Sequence, residues 1–134
     1  MPAVLELITL LLIDLSQQRL RAYAGGSQPI YSAPVSTGVA ASPTPTGEFH
    51  IASKYASTPL TGSDYRTPPV ADVMCLGGGG LAADSYCLHP APWQEDAGQC
   101  FGVPRSRGCI RLSRATARWL FERTAVGTPV RIVP

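Results

Sequence analysis

Charged residues make up only 15% of this 134-residue chain, while hydrophobic residues supply 45%. That balance excludes a disordered, self-repelling chain and predicts a folded one. Nothing in it crosses a membrane by length. The apolar segment Val4–Leu15 is broken by Glu6 and Asp14 and is too short for a bilayer. It also lacks the basic residue in front and the small-residue cleavage site behind that define a secretory signal. With Met1-Pro2 as a start, the expectation is a cytoplasmic protein, or a periplasmic one if a signal peptide has been removed. Other absences exclude other functions. No Gly-Lys-Ser/Thr follows Gly77-Gly78-Gly79-Gly80, so that run is a flexible turn and not a phosphate cradle. No Cys-x₂₋₄-Cys pair is available to build a zinc knuckle from Cys75, Cys87, His89, Cys100 and Cys109, so no metal and no cofactor are expected. The basic C-terminal part has no Lys-rich or aromatic-interleaved pattern, which argues against nucleic acid. No repeats or internal boundaries appear, so residues 1–134 read as one domain.

What is abundant is glycine and proline, thirteen of each. They argue against a helical bundle and for short strands joined by turns. Val4–Leu15 reads as a strand buried on both faces. Arg19–Tyr23 follows after a polar turn at Ser16-Gln17-Gln18, then a strand near Pro29–Ser36. Pro43-Thr44-Pro45-Thr46-Gly47 is a stiffened turn leading into Phe49-His50-Ile51. From about Ser53 to Pro104 periodicity fades, which predicts a long irregular segment serving as lid or cleft wall. Ser113 is a candidate N-cap for a helix from Arg114 to about Ala125 with Ala117, Leu120 and Phe121 on one face. Gly127 is read as its terminator, with Thr128–Val133 as a closing strand.

Seven of the eleven basic residues lie after position 100, against one acid, Glu122. A small carboxylate-bearing ligand suits that end, as does a merely solvated face. Within it lies Ser106-Arg107-Gly108-Cys109-Ile110-Arg111-Leu112. A thiol between two permanently charged guanidinium groups is biased towards thiolate, hence towards nucleophilicity. Such a thiol works best with a base nearby. His89, in Cys87-Leu88-His89-Pro90, is the candidate, and a structural, hydrogen-bonded histidine is the equal alternative. His50 follows a turn directly and is read as peripheral. Four cysteines could make two disulfides; reserving Cys109 for chemistry leaves three, which tilts the reading towards a reducing compartment.

These residues resemble the L,D-transpeptidase catalytic domain (YkuD-type). That family has a Ser-His-Gly-Cys motif followed by an apolar residue, Arg or Asn, and another apolar residue. It also has an upstream histidine and an earlier Thr-Pro-Thr-Gly-x-Phe turn. Residues 106–112 match the first except that Arg107 stands where the family has histidine. Thr44-Pro45-Thr46-Gly47-Glu48-Phe49 matches the turn, and Pro90 follows His89 where glycine is frequent. Residues 13–20 resemble the opening hairpin and Gly127–Val130 the last strand. The resemblance implies a mainly β sandwich or barrel with one C-terminal helix and the long lid segment. It implies Cys109 as acylated nucleophile and His89 as general base, with Ser106 and Gly108 shaping the loop. Backbone N–H groups around Gly108 and Cys109 would form an oxyanion hole. Arg107 and Arg111 are the candidates for binding a substrate carboxylate, a surface ion pair being the alternative for Arg107. The implied substrate is a peptidoglycan tetrapeptide stem or muropeptide. The expected reaction is L,D-carboxypeptidase release of terminal D-alanine during wall recycling. The alternatives are an L,D-transpeptidase that cross-links or exchanges D-amino acids, and a non-enzymatic or zinc-stabilised peptidoglycan-binding module.

Overall fold

The computed structural model describes residues 7–62 and 64–134. Eight strands and two helices follow in the order β1 (Leu10–Asp14), β2 (Arg19–Tyr23), β3 (Tyr31–Pro34), β4 (Gly47–Thr58), β5 (Val70–Gly77), β6 (Cys87–Pro90), α1 (Pro92–Asp96), β7 (Ile110–Leu112), α2 (Arg114–Arg123) and β8 (Pro129–Val133). The strands form one sheet in the order β3-β2-β1-β8-β4-β5-β6-β7. Past the end of β3, Ser36 bridges Arg111 on β7. The two edges of the sheet are thereby drawn together towards a barrel, which leaves less unpaired backbone at either edge.

The expected mainly β architecture is what the chain adopts, with differences in detail. The part of the first expected strand at residues 4–6 lies outside the described residues. The remainder is buried on one face only: Leu11 and Ile13 are fully buried, whereas Leu10, Leu12 and Asp14 are partly exposed. Such alternation is normal where one sheet face meets the core. The polar turn between β1 and β2 has a structural role. Gln18 is buried at positive φ, and its amide donates to Thr37 Oγ1 (2.6 Å) and accepts from the Thr37 N–H (2.9 Å). A turn residue thereby ties the hairpin to the segment after β3 that bridges β7.

The larger correction concerns residues 53–104. They are not one irregular lid: β4 runs on to Thr58, and β5, β6 and α1 follow within the stretch. The expected alternation is missing because β5 is buried at nearly every position, from Val73 to Leu76 without a break. A strand covered on both faces has no period to read. The lid shrinks to the β4–β5 connection, where Thr61 bridges Arg66 and the Gly62 N–H donates to the Tyr65 carbonyl.

The C-terminal helix starts as expected, with Ser113 Oγ accepting from the Thr116 N–H at 3.1 Å. It buries Thr116, Ala117 and Leu120, while Phe121 packs only partly against the core. It ends at Arg123, earlier than expected, with Thr124 extended. Lys54 Nζ closes it by donating to the carbonyls of Phe121 and Thr124, both at 2.7 Å. Gly127 therefore does not cap the helix; at φ 96° it makes the turn into β8.

Candidate active site

β6 and β7 run parallel with His89 opposite Arg111, and Cys109 stands immediately before β7. Side chains two apart on a strand share a face, so Cys109, Arg111 and His89 are brought to one side of the sheet. All three line a cleft of about 270 Å³, together with Leu60, Tyr65, Trp93, Ser106 and Arg107. The β4–β5 tip contributes Leu60 and Tyr65, and α1 contributes Trp93.

The loop that presents the thiol is held from both ends. Ser106 Oγ donates to the Cys109 carbonyl (2.5 Å) and accepts the Gly108 N–H (3.1 Å). Thr44 Oγ1, buried, donates to the Gly108 carbonyl (2.7 Å) and accepts the Gly38 N–H (2.9 Å). Ser42 Oγ donates to the Arg107 carbonyl at 2.6 Å. The N–H groups of Arg105 and Ser106 both donate to the Thr37 carbonyl. Thr44 of the turn, with Thr37 and Ser42 just before it, is therefore the scaffold of the thiol loop, Thr44 and Gly108 being 64 positions apart in the chain. Gly108 itself has φ 134°, and a Cβ there would lie 2.7 Å from the Tyr86 ring. Only glycine satisfies both conditions. In this structure its N–H points to Ser106 Oγ.

Electrostatically the pair rests neutral. Burial pushes the Cys109 thiol above its usual value; the Cys87 N–H, which donates to Sγ at 3.4 Å, and Arg111 pull the other way without prevailing. This corrects the expectation that flanking arginines make a thiolate. Burial likewise holds His89 down to about 4, with the Pro90 carbonyl raising it and Arg111 lowering it. At neutral pH the ring is uncharged. Nδ1 lies 2.7 Å from the Pro90 carbonyl, so Nδ1 carries the proton and Nε2 keeps a lone pair. Pro90, a departure from the family pattern, thus fixes the tautomer through its carbonyl.

The two candidate arginines part company. Arg107 is exposed, pairs with Asp64 on the β4–β5 tip and lies over the Tyr65 ring at 5.3 Å. It links the thiol loop to the tip across the cleft. Arg111 is partly buried beside Cys109, donates to Gln94 Oε1 (3.3 Å) and lies 5.4 Å from the Trp93 ring centre. Burial lowers its pKa, yet a guanidinium remains charged at neutral pH.

The family model of the L,D-transpeptidase catalytic domain (YkuD) matches residues 8–132. The chain belongs to that family. L,D-transpeptidase 1 of Mycobacterium tuberculosis is 32% identical over 109 residues, 75% of this chain and 41% of that protein. A mutant L,D-transpeptidase of Enterococcus faecium superimposes with TM-score 0.75 at 26% identity, over 94% of this chain and 50% of that one. L,D-transpeptidase 3 of M. tuberculosis, in complex with a faropenem-derived adduct, gives TM-score 0.73 at 26% identity, over 93% and 60%. The chain thus spans roughly two fifths to three fifths of these relatives.

Several residues that line or support this YkuD domain's cleft escaped sequence reasoning. Gln94 is completely buried, donates to Ser36 Oγ and the Cys100 carbonyl, and accepts from Arg111. Tyr65 and Trp93 carried no pattern, and Thr44 was legible only as part of a turn. His50, as expected, is exposed and does not line the cleft. The cysteine count also misled. Cys75 and Cys87 form a disulfide, and Cys100 and Cys109 are free. An odd remainder did not prevent pairing, because Cys75 and Cys87 face one another across β5 and β6. Two of the candidate zinc ligands are thereby bonded to each other.

Proposed function

We propose that this domain catalyses acyl transfer on peptidoglycan stem peptides through a thioester on Cys109. The observation that carries the reading is the convergence of Cys109, a neutral His89 with Nδ1 held by Pro90, and Arg111 in one cleft. His89 Nε2 takes the thiol proton as sulfur attacks the carbonyl between the L-centre of the third stem residue and the terminal D-alanine. With both groups neutral at rest, proton transfer accompanies attack instead of preceding it. The Cys109 N–H is the loop donor assigned to the oxyanion, since the Gly108 N–H is engaged. Collapse returns the proton from His89 to the departing amine. Arg111 is assigned to the substrate carboxylate, and Arg107 to docking the β4–β5 tip over the bound peptide.

An amine acceptor, giving an L,D-transpeptidase, is the first reading. The relatives carry that name, and the Cys75–Cys87 disulfide favours an oxidising compartment, where the polymer lies. Hydrolysis, giving an L,D-carboxypeptidase, is the second. It is supported by the partial exposure of Cys109, which admits water to the thioester. Incubation with a disaccharide tetrapeptide, with and without an amine acceptor, separates them by mass spectrometry. Dimers or exchanged D-amino acids indicate transfer, and tripeptide with free D-alanine indicates hydrolysis. Neither product would remove the proposal. A carbapenem should add covalently to Cys109, and an unchanged intact mass after long incubation counts against the nucleophile.

A further inference from the structure

Three sulfurs stand in a row beside the cleft. Cys75 pairs with Cys87 across the antiparallel β5–β6 register. Leu88 pairs with Ile110 in the parallel β6–β7 register, so one residue earlier Cys87 lies beside Cys109. The Cys87 N–H donates to Cys109 Sγ at 3.4 Å, which confirms the juxtaposition. Cys109 packs against the small apolar cluster of Val70, Val73, Cys75 and Cys87, and the three cysteines share the wall of a second hollow beside the cleft. The bonded Cys75 and Cys87 have Cα atoms 3.9 Å apart across β5 and β6; Cys109 directly precedes β7, and the usual spacing of neighbouring strands, about 4.7–4.9 Å, is one a disulfide can span. Cys87, in the middle, can therefore reach either neighbour.

We propose that Cys75, Cys87 and Cys109 form a thiol–disulfide exchange centre in which Cys87 bonds either to Cys75 or to Cys109, the second arrangement sequestering the nucleophile. The proposal rests on the reading of Cys109 as nucleophile for its consequence, though not for its chemistry. Cys109 sulfur attacks Cys87 Sγ as His89 takes its proton; the Cys87–Cys109 bond forms and the Cys75–Cys87 bond breaks. Cys75 leaves with the electron pair and receives the proton. Nothing is oxidised or reduced overall, and the reverse attack by Cys75 restores the enzyme. Bound substrate, by engaging Cys109, opposes the exchange.

The test uses the whole chain with Cys100→Ser, which removes the other free thiol. In wild-type connectivity, acid quenching, alkylation and non-reducing peptide mapping should find a minor Cys87–Cys109 linkage with Cys75 alkylated. Its complete absence, with and without prior incubation at mildly alkaline pH, overturns the exchange. Adding Cys75→Ser isolates the second arrangement. Oxidised glutathione should then remove two hydrogens from the protein, link Cys87 to Cys109, abolish carbapenem labelling, and be reversed by dithiothreitol. Separate glutathione adducts on Cys87 and Cys109 overturn the proposal. A linkage that forms while turnover of the reduced protein is absent sinks the catalytic reading and leaves the sulfur chemistry standing.

Discussion

The β1–β2–β8 side of the sheet and the β5–β6–β7 side are built by different means. The first is held by alternating apolar residues: Leu11, Ile13, Leu20, Ala22, Val130 and Ile132 are all buried, with polar or half-exposed neighbours between them. The second buries apolar residues too, among them Met74, Leu76, Leu88, Ile110 and Leu112, and adds side chains that bond to distant parts of the chain around the thiol loop. Thr44 grips Gly108, Ser42 grips Arg107, and Gln94 joins Ser36, Cys100 and Arg111. Burial is forgiving of identity provided volume is kept. A network of individual hydrogen bonds is not, since each lost partner leaves a buried polar group unpaired. Both halves contribute burial, but only the second carries this network, so substitutions should separate stability from site geometry.

The largest separation is at the nucleophile. Cys109→Ala should reduce turnover to background in the product assay while leaving the unfolding midpoint near that of the wild type; any sustained turnover contradicts the thioester. His89→Gln should lower the rate by about 10²–10⁴-fold. In the wild type the rate should hold from neutral pH down towards 4, the value to which burial takes the ring. A rate that climbs continuously from pH 6 to 9 instead marks a pre-formed thiolate as the reactive species. On the other side of the molecule, Leu20→Ala should cost about 2–5 kcal/mol in urea unfolding. Carbapenem labelling of the remaining folded protein should be unaffected.

Acid links the halves. The unfolded chain protonates His89 near 6.5, whereas the buried ring resists until about 4. A depressed folded pKa means that the stability is present above 6.5 and is lost as pH falls through about 4. The span corresponds to about 3 kcal/mol. Urea titrations at pH 7 and pH 4 measure it, and a His89→Gln protein should show a correspondingly smaller difference. The smallest effect belongs to Arg107→Ala. Its ion pair with Asp64 is solvent-exposed, and such pairs contribute little to stability, so thermal unfolding should stay put while KM rises. An unchanged KM removes the docking role.

Much of this division was visible beforehand. The β1–β2 hairpin, α2 with its Ser113 cap and β8 follow from period, capping and turn chemistry, all of which act within a few residues. The segment 106–112 and His89 carried their chemistry in their residue types, and the family motif supplied their pairing. The 53–104 stretch was misread because β5, covered on both faces, shows no alternation, and because prolines at 68, 69, 90 and 92 obscure the strand and helix beside them. Arg107 and Arg111 looked equivalent, being two residues either side of one thiol. They differ because Arg111 lies within β7 beside Cys109, whereas Arg107 sits on the loop and reaches across the cleft to Asp64 on the β4–β5 tip.

Outside residues 53–104, local sequence determined where the chain turns and which faces are apolar, and it named the side chains that could act as nucleophile and base. The tertiary structure decided the charge states of that pair, because desolvation depends on everything packed around a group and not on its neighbours in the chain. It also decided which arginine faces the thiol, and which cysteines stand side by side. Those are distances across strands, set by a sheet register that no short stretch of residues contains.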